Sequence, residues 1–153
     1  MNRLHPRVRV VWAVQAAITA TVLGLVVFAV GRFALSLPAW VPVAVFAVFL
    51  LVGVGAALLR YRAWRYEVRD DALYLERGVF TRVRTVVPFV RIQHVDSSRG
   101  PAERLIGLAS TVVYTAGSRG ADVTVPGLTP AGADDLRERL KRLAIRAEGE
   151  DAV

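Results

Sequence analysis

The chain has 153 residues, no cysteine and a formal net charge of +7. Without cysteine there is no disulfide, no thiolate nucleophile and no Cys-based zinc or iron–sulfur site. The positive excess is not the footprint of a nucleic-acid binder, because the only charged residues of the first 59 are Arg3, Arg7, Arg9 and Arg32, and the other 94 set 16 basic side chains against 13 acidic ones, which is near balance.

An opening third with no acidic residue is not a soluble domain. From Val10 to Val30 the sequence VVWAVQAAITATVLGLVVFAV carries no charge, and at about 1.5 Å per residue a helix of that length reaches ~30 Å, enough to span a bilayer. Gln15, Thr19 and Thr21 are its only polar side chains, and they are expected to bond to backbone or to a neighbouring helix. Gly31 to Ala39 supplies the turn, and Trp40 to Leu59 repeats the apolar run up to Arg60. Two antiparallel transmembrane helices, about 10–30 and 40–59, are therefore predicted within an anchor of residues 1–62. Trp12 and Trp40 sit near span ends, where an amphipathic ring prefers the headgroup zone.

Arg3, Arg7 and Arg9 precede the first span and Arg60, Arg62 and Arg65 follow the second, against Arg32 alone between them. These six arginines are the predicted topology and membrane-interface residues. The positive-inside rule places both termini in the cytoplasm, in a multi-pass protein of the cell (inner) membrane, and each arginine near an anionic leaflet is worth about 1 kcal/mol. A cleaved signal peptide is the rival reading, but its apolar core runs ~7–15 residues and a second span follows here. With no ionisable group inside either span, the pair is expected to anchor rather than conduct.

Past the basic collar the pattern alternates. Trp64, Tyr66 and Val68 oppose Arg65, Glu67 and Arg69, Asp70-Asp71 turns the chain, and Leu73 and Leu75 form the inward face of a second strand. Arg77-Gly78 turns it again, and Val79 to Val87 alternates as a third strand ended by Pro88. A shorter strand, Arg91 to Asp96, has Ile92 and Val95 as core contacts. Gly100-Pro101 opens a short helix to Ile106, closed by Gly107, with Leu105, Ile106 and Leu108 plugging the sheet. Two β-rich runs follow, Ser110 to Thr115 and Asp122 to Pro126, joined by Ala116–Gly120. Thr129 caps a last helix whose Leu136, Leu140 and Leu143 form one apolar stripe. The soluble domain is expected over residues 63–146 and a disordered tail over 147–153.

Trp64-Arg65-Tyr66, Leu75-Glu76-Arg77-Gly78-Val79, Val87-Pro88 with Arg91-Ile92-Gln93-His94-Val95, Gly100-Pro101 with Arg104-Leu105-Ile106-Gly107-Leu108-Ala109, and Pro126-Gly127-Leu128 resemble, in this order, the bacterial pleckstrin-homology-like membrane proteins of the YdbS-like group. The resemblance covers about residues 60 to 143, and the two spans match that group too. It implies an α+β, mainly β, domain: a bent, seven-strand-like antiparallel sandwich or barrel with a C-terminal capping helix. It also implies a binding or scaffolding module that mediates protein–protein interaction at the cytoplasmic membrane face. The implied partner is another protein, a second copy, or a larger membrane protein with similar domains, besides the lipid bilayer and with no nucleic acid. The alternative reading is a lipid-sensing or accessory subunit of an envelope-stress or transport assembly, in which the basic collar with Arg82 and Arg84 reads the anionic leaflet.

No catalytic, cofactor-binding or metal-ligating residues are predicted, and the protein is not expected to be an enzyme. His94 has Asp96 beside it, but the only other histidine is His5, across the anchor, and no third ligand is spaced around it. Ser97 and Ser98 lack a nucleophile elbow, and no Gly-rich phosphate loop occurs. The candidate binding patch is basic: Arg82 and Arg84 share a strand face and Arg91 follows. The first hairpin turns on Asp70-Asp71, which repels phosphate and argues against specific inositol-lipid binding.

Overall fold

The computed structural model describes residues 1–117 and 122–152. It forms two compact units, one of Arg9–Arg62 and one of Met1–Val8 with Ala63–Val153.

The first unit is a pair of apolar helices. Helix α1 (Val8–Val30) widens into a π turn at Gly31–Leu35, Ser36 takes a left-handed conformation (φ 49°), and α2 (Trp40–Ala63) follows. Both are long and apolar enough to cross a membrane, and only 11% of each apolar window is buried. A core helix of a soluble protein would be covered, so the solvent suited to this surface is lipid. Small residues mediate the close approach: a Cβ on Gly53 would lie 2.7 Å from that of Ala16, and one on Gly24 3.2 Å from that of Phe46. Gly55 faces open space. Thr19 and Thr21 donate to the carbonyls of Gln15 (3.0 Å) and Ala17 (2.8 Å), which satisfies their hydroxyls inside the helix.

The second unit holds two antiparallel sheets. Strands β1 (Asn2–Arg3), β2 (Arg65–Val68), β3 (Ala72–Arg77) and β4 (Val83–Pro88) form one in that order; β5 (Ile92–Ser98), β6 (Ala109–Thr115) and β7 (Val123–Leu128) form the other. A 3-10 turn, Phe89–Arg91, joins the sheets, α3 (Pro101–Ile106) joins β5 to β6, and α4 (Pro130–Asp151) packs on β5, β6, β7 and the 3-10 turn. Leu73, Leu75 and Val87 of the first sheet, Ile92, Val113 and Val125 of the second, and Ala133, Leu136, Leu140 and Ala144 of α4 are buried. Thr111, also buried, donates to the carbonyl of Ala133 (3.1 Å) and ties α4 to the second sheet.

The helix ends follow the local signals. Thr129 Oγ1 accepts from Gly132 N–H (3.0 Å), Glu103 accepts from Gly100 N–H (2.7 Å), and Gly107 closes α3 at φ 68°. The expected loop Ala116–Gly120 lies, from Ser118 onward, outside the described residues.

Five expectations need correction. Residues Met1–Val8 belong to the sheet unit rather than the anchor: Asn2 and Arg3 pair with Tyr66 and Arg65, Leu4 is buried, and His5 N–H donates to the carbonyl of Gly127 (2.6 Å). Gly127 permits this approach with a φ of 65°, since a Cβ there would lie 2.9 Å from that of Val8. The third expected strand starts at Val83, not Val79, because Gly78 (φ 101°) turns the chain so tightly that a Cβ would collide with the Thr81 carbonyl oxygen. Leu105 points outward at 87% exposure while Leu108 is buried, since six residues of α3 can turn only one side to the sheet. The buried stripe of α4 is Ala133, Leu136, Leu140 and Ala144, with Leu143 only half-buried. Finally, α4 continues through the expected tail to Asp151, as Ala147, Glu148 and Glu150 favour helix and no proline interrupts it.

Candidate functional site

The six arginines expected to set the topology divide between the units. Arg9, Arg60 and Arg62 lie on the apolar helices, where the Arg60 guanidinium stacks 4.3 Å from the Trp12 ring and that of Arg9 5.0 Å from Tyr61. Each pair joins α1 to α2 at the same end of the hairpin, and such contacts are worth about 0.5–2 kcal/mol depending on desolvation. Arg3 and Arg65 instead face each other across β1 and β2, and Arg7 reaches the carbonyl of Ile106 at 3.5 Å, at the C-terminal end of α3.

The structure sets Arg82, Arg84 and Arg91 in three different surroundings rather than in one cluster. Arg84 donates twice to Glu76 Oε1 (2.9 and 2.6 Å) across the β3–β4 pair, so it is engaged in an ion pair on the sheet surface. Arg82 is exposed just before β4. Arg91 lies beyond the far end of β4 and lines, with Arg77, Pro88, Thr115 and Asp122, a cleft of about 350 Å³. Just past β2, the Arg69 guanidinium donates to Glu67 (2.8 Å) and holds its carboxyl below the usual range, while on β2 burial raises the Tyr66 phenol against an opposing hydrogen bond from Asn2.

The larger concavity, about 470 Å³, runs between β5 and α4. Its sheet wall is Ile92 to Asp96. Among the described residues β5 pairs only with β6, so its outer edge keeps backbone donors and acceptors open for another strand. A register shift between Ile92 and His94 marks a bulge at Gln93, which re-aims the side chains at the groove mouth. His94 Nε2 lies 2.8 Å from Asp96 Oδ1, and its ring is 5.8 Å from that of Tyr114. The helix wall presents Arg137, Lys141, Ala144, Ile145 and Glu148. Arg137 is held by Asp134 (3.7 Å) and Glu138 (3.3 Å), and Ile145 is 61% exposed although it lines the groove.

An apolar strip beside an open strand edge, bounded by polar and charged groups, is a shape that binds extended chain. The sequence marked Gln93, His94 and the turns of α4 separately but carried no sign that they meet: the walls are over forty residues apart, and the bulge leaves no periodic trace. His94 thus sits between the Asp96 carboxylate and the Tyr114 ring at the mouth of the groove.

A profile of the family described as Bacterial PH domain matches residues 10–144, which takes in both apolar helices and the sheets but begins after β1. The chain is 34% identical over 149 residues to the UPF0699 transmembrane protein YdbS of Bacillus subtilis (strain 168), covering 94% of this chain and 92% of that protein. It is 26% identical over 99 residues to the UPF0699 transmembrane protein YdbT of the same organism, which is 63% of this chain but 20% of that longer relative. No solved structure matches. With two membrane-length helices leading into two antiparallel sheets and a closing C-terminal helix, this membrane protein belongs to the bacterial PH domain family.

Proposed function

We propose that this protein is a membrane-tethered binding module, not a catalyst, and that it docks an extended segment of a protein partner in the groove between β5 and α4. The observation that carries the reading is the open edge of β5 beside an exposed isoleucine on α4. A strand laid on β5 would satisfy its backbone through the edge, place alternate side chains against Ile145 and Ala144, and bring a carboxylate to Lys141. The partner is a membrane-associated protein: a second copy of this chain or a larger membrane protein with similar domains.

A photo-activatable residue at Gln93 or Ile145, used in the native membrane, should give one dominant crosslinked product that is absent when the probe is at Leu105. Equal labelling from all three positions, or none from the groove, would refute the docking site.

We propose that both termini lie in the cytoplasm, at the inner face of the cell membrane. The support is the arginine bias, with Arg9, Arg60 and Arg62 at one end of the helix pair, and the fact that β1 and the later strands share one sheet, so both crossings begin and end on one side. The chain lacks cysteine, so Asp70→Cys gives a single reporter. It should resist an impermeant maleimide in intact cells and react fully after permeabilisation; labelling in intact cells would reverse the assigned orientation.

A further inference from the structure

We infer that the tip of the β3–β4 hairpin is a lipid-inserting wedge, with Phe80 entering the interfacial zone of an anionic bilayer between Arg77 and Arg82. This goes beyond the docking groove and stands on different residues.

The tip is built to hold its side chains outward. Strands β3 and β4 pair up to Arg77↔Val83, and Gly78 then turns the chain with a φ that only glycine adopts freely. The turn leaves Phe80 100% exposed, with Val79 exposed beside it. A phenyl ring with no protein cover is unfavourable in water and suited to a headgroup–acyl boundary. From Arg77 to Arg91 there are four arginines and no acid. Arg84 is engaged by Glu76, so the positive charge at the tip itself comes from Arg77 and Arg82.

The register places this tip at a particular end of the sheet. Arg65 pairs with Glu76 and Glu76 with Arg84, so the start of β2 and the hairpin tip share one end. Arg65 and Arg84 are two strand spacings apart, about 10 Å. The chain enters β2 directly from the second apolar helix, which ends at Ala63. The opposite end carries the Asp70-Asp71 turn, next to the pairs Val68↔Leu73 and Ala72↔Pro88. One end of the sheet therefore joins an exposed aromatic to arginines, while the other is acidic. This polarity complements an anionic lipid surface.

Thr81→Cys and Asp70→Cys each provide one labelling site in the full-length, otherwise cysteine-free protein. With nitroxide labels and reconstitution into nanodiscs containing phosphatidylglycerol, the label at position 81 should relax mainly with oxygen, which concentrates in lipid. The label at 70 should relax mainly with a water-soluble nickel chelate. Adding Phe80→Asp should shift the inserted-to-withdrawn ratio at position 81 by more than ~tenfold toward water, as expected for losing a buried aromatic side chain, and leave position 70 unchanged. Replacing phosphatidylglycerol by phosphatidylcholine should weaken insertion, and so should added salt. The proposal is overturned if position 81 is as open to nickel as position 70. It is also overturned if position 81 is shielded from both reagents in a concentration-dependent way, since a second copy would then cover the tip. Insertion equally strong in phosphatidylcholine would overturn the anionic-surface assignment.

Discussion

Leu4→Asp should unfold the sheet unit, and Leu4→Ala should lower its stability by about 2–5 kcal/mol, the cost of deleting a well-packed leucine side chain. Leu4 is only 2% exposed although it stands near the chain start, before the first apolar helix. It sits just after β1, against Gly127 of β7: a Cβ on Gly127 would lie 3.2 Å from that of Leu4, and His5 N–H donates to the carbonyl of Gly127. A carboxylate there would be buried among apolar groups, and the chain would withdraw β1 rather than solvate it. For a domain of this size each kcal/mol is worth roughly 4–8 °C, so Leu4→Ala should drop the midpoint by more than about 8 °C when the full-length protein is heated in nanodiscs. Leu105→Ala, at a position 87% exposed, should stay within about 0.5 kcal/mol of the parent. If the two substitutions behaved alike, the first residues would be a flexible leader and not part of the sheet.

Leu140→Ala is the second large effect. Leu140 is 0% exposed and occupies the middle of the buried stripe of α4. Its loss should cost about 2–5 kcal/mol, with the neighbouring Ala133 and Ala144 too small to fill the space. The consequence reaches function, because α4 is one wall of the groove. Crosslinking from Gln93 should fall at temperatures where the sheets are still folded, since a loosened α4 no longer holds Ile145 and Lys141 opposite β5. Leu143→Ala, at a half-buried position, should cost about 1 kcal/mol and leave the crosslink intact. Retained crosslinking in Leu140→Ala would show that the partner binds the sheet edge without the helix.

Much of the architecture was legible along the chain, and the legible parts share a property. An uncharged run long enough to cross a bilayer can be stable only in lipid or in a large core, so Val10–Val30 and Trp40–Leu59 identified themselves. Helix starts at Gly100-Pro101 and Thr129-Pro130, the stop at Gly107 and the Asp70-Asp71 turn each depend on atoms within a few residues. Leu73 and Leu75 announced their inward face through alternation alone.

What the linear sequence determined by itself is thus the local physics: which segments avoid water, where helices begin and end, and which face of a strand is apolar. Tertiary structure decided the rest. Strand β1 is two residues long, too short for any periodic signal, and its partner β2 lies beyond both apolar helices. The groove joins β5 to α4 across more than forty residues, and Gln93 gains its position from a register shift set by β6. Val79 and Phe80 alternate like strand residues, yet the turn at Gly78 removes them from the ladder and leaves the ring uncovered. Pairing partners are chosen by the free energy of closing long loops around a shared core, a quantity belonging to the whole fold that no window of neighbouring residues contains.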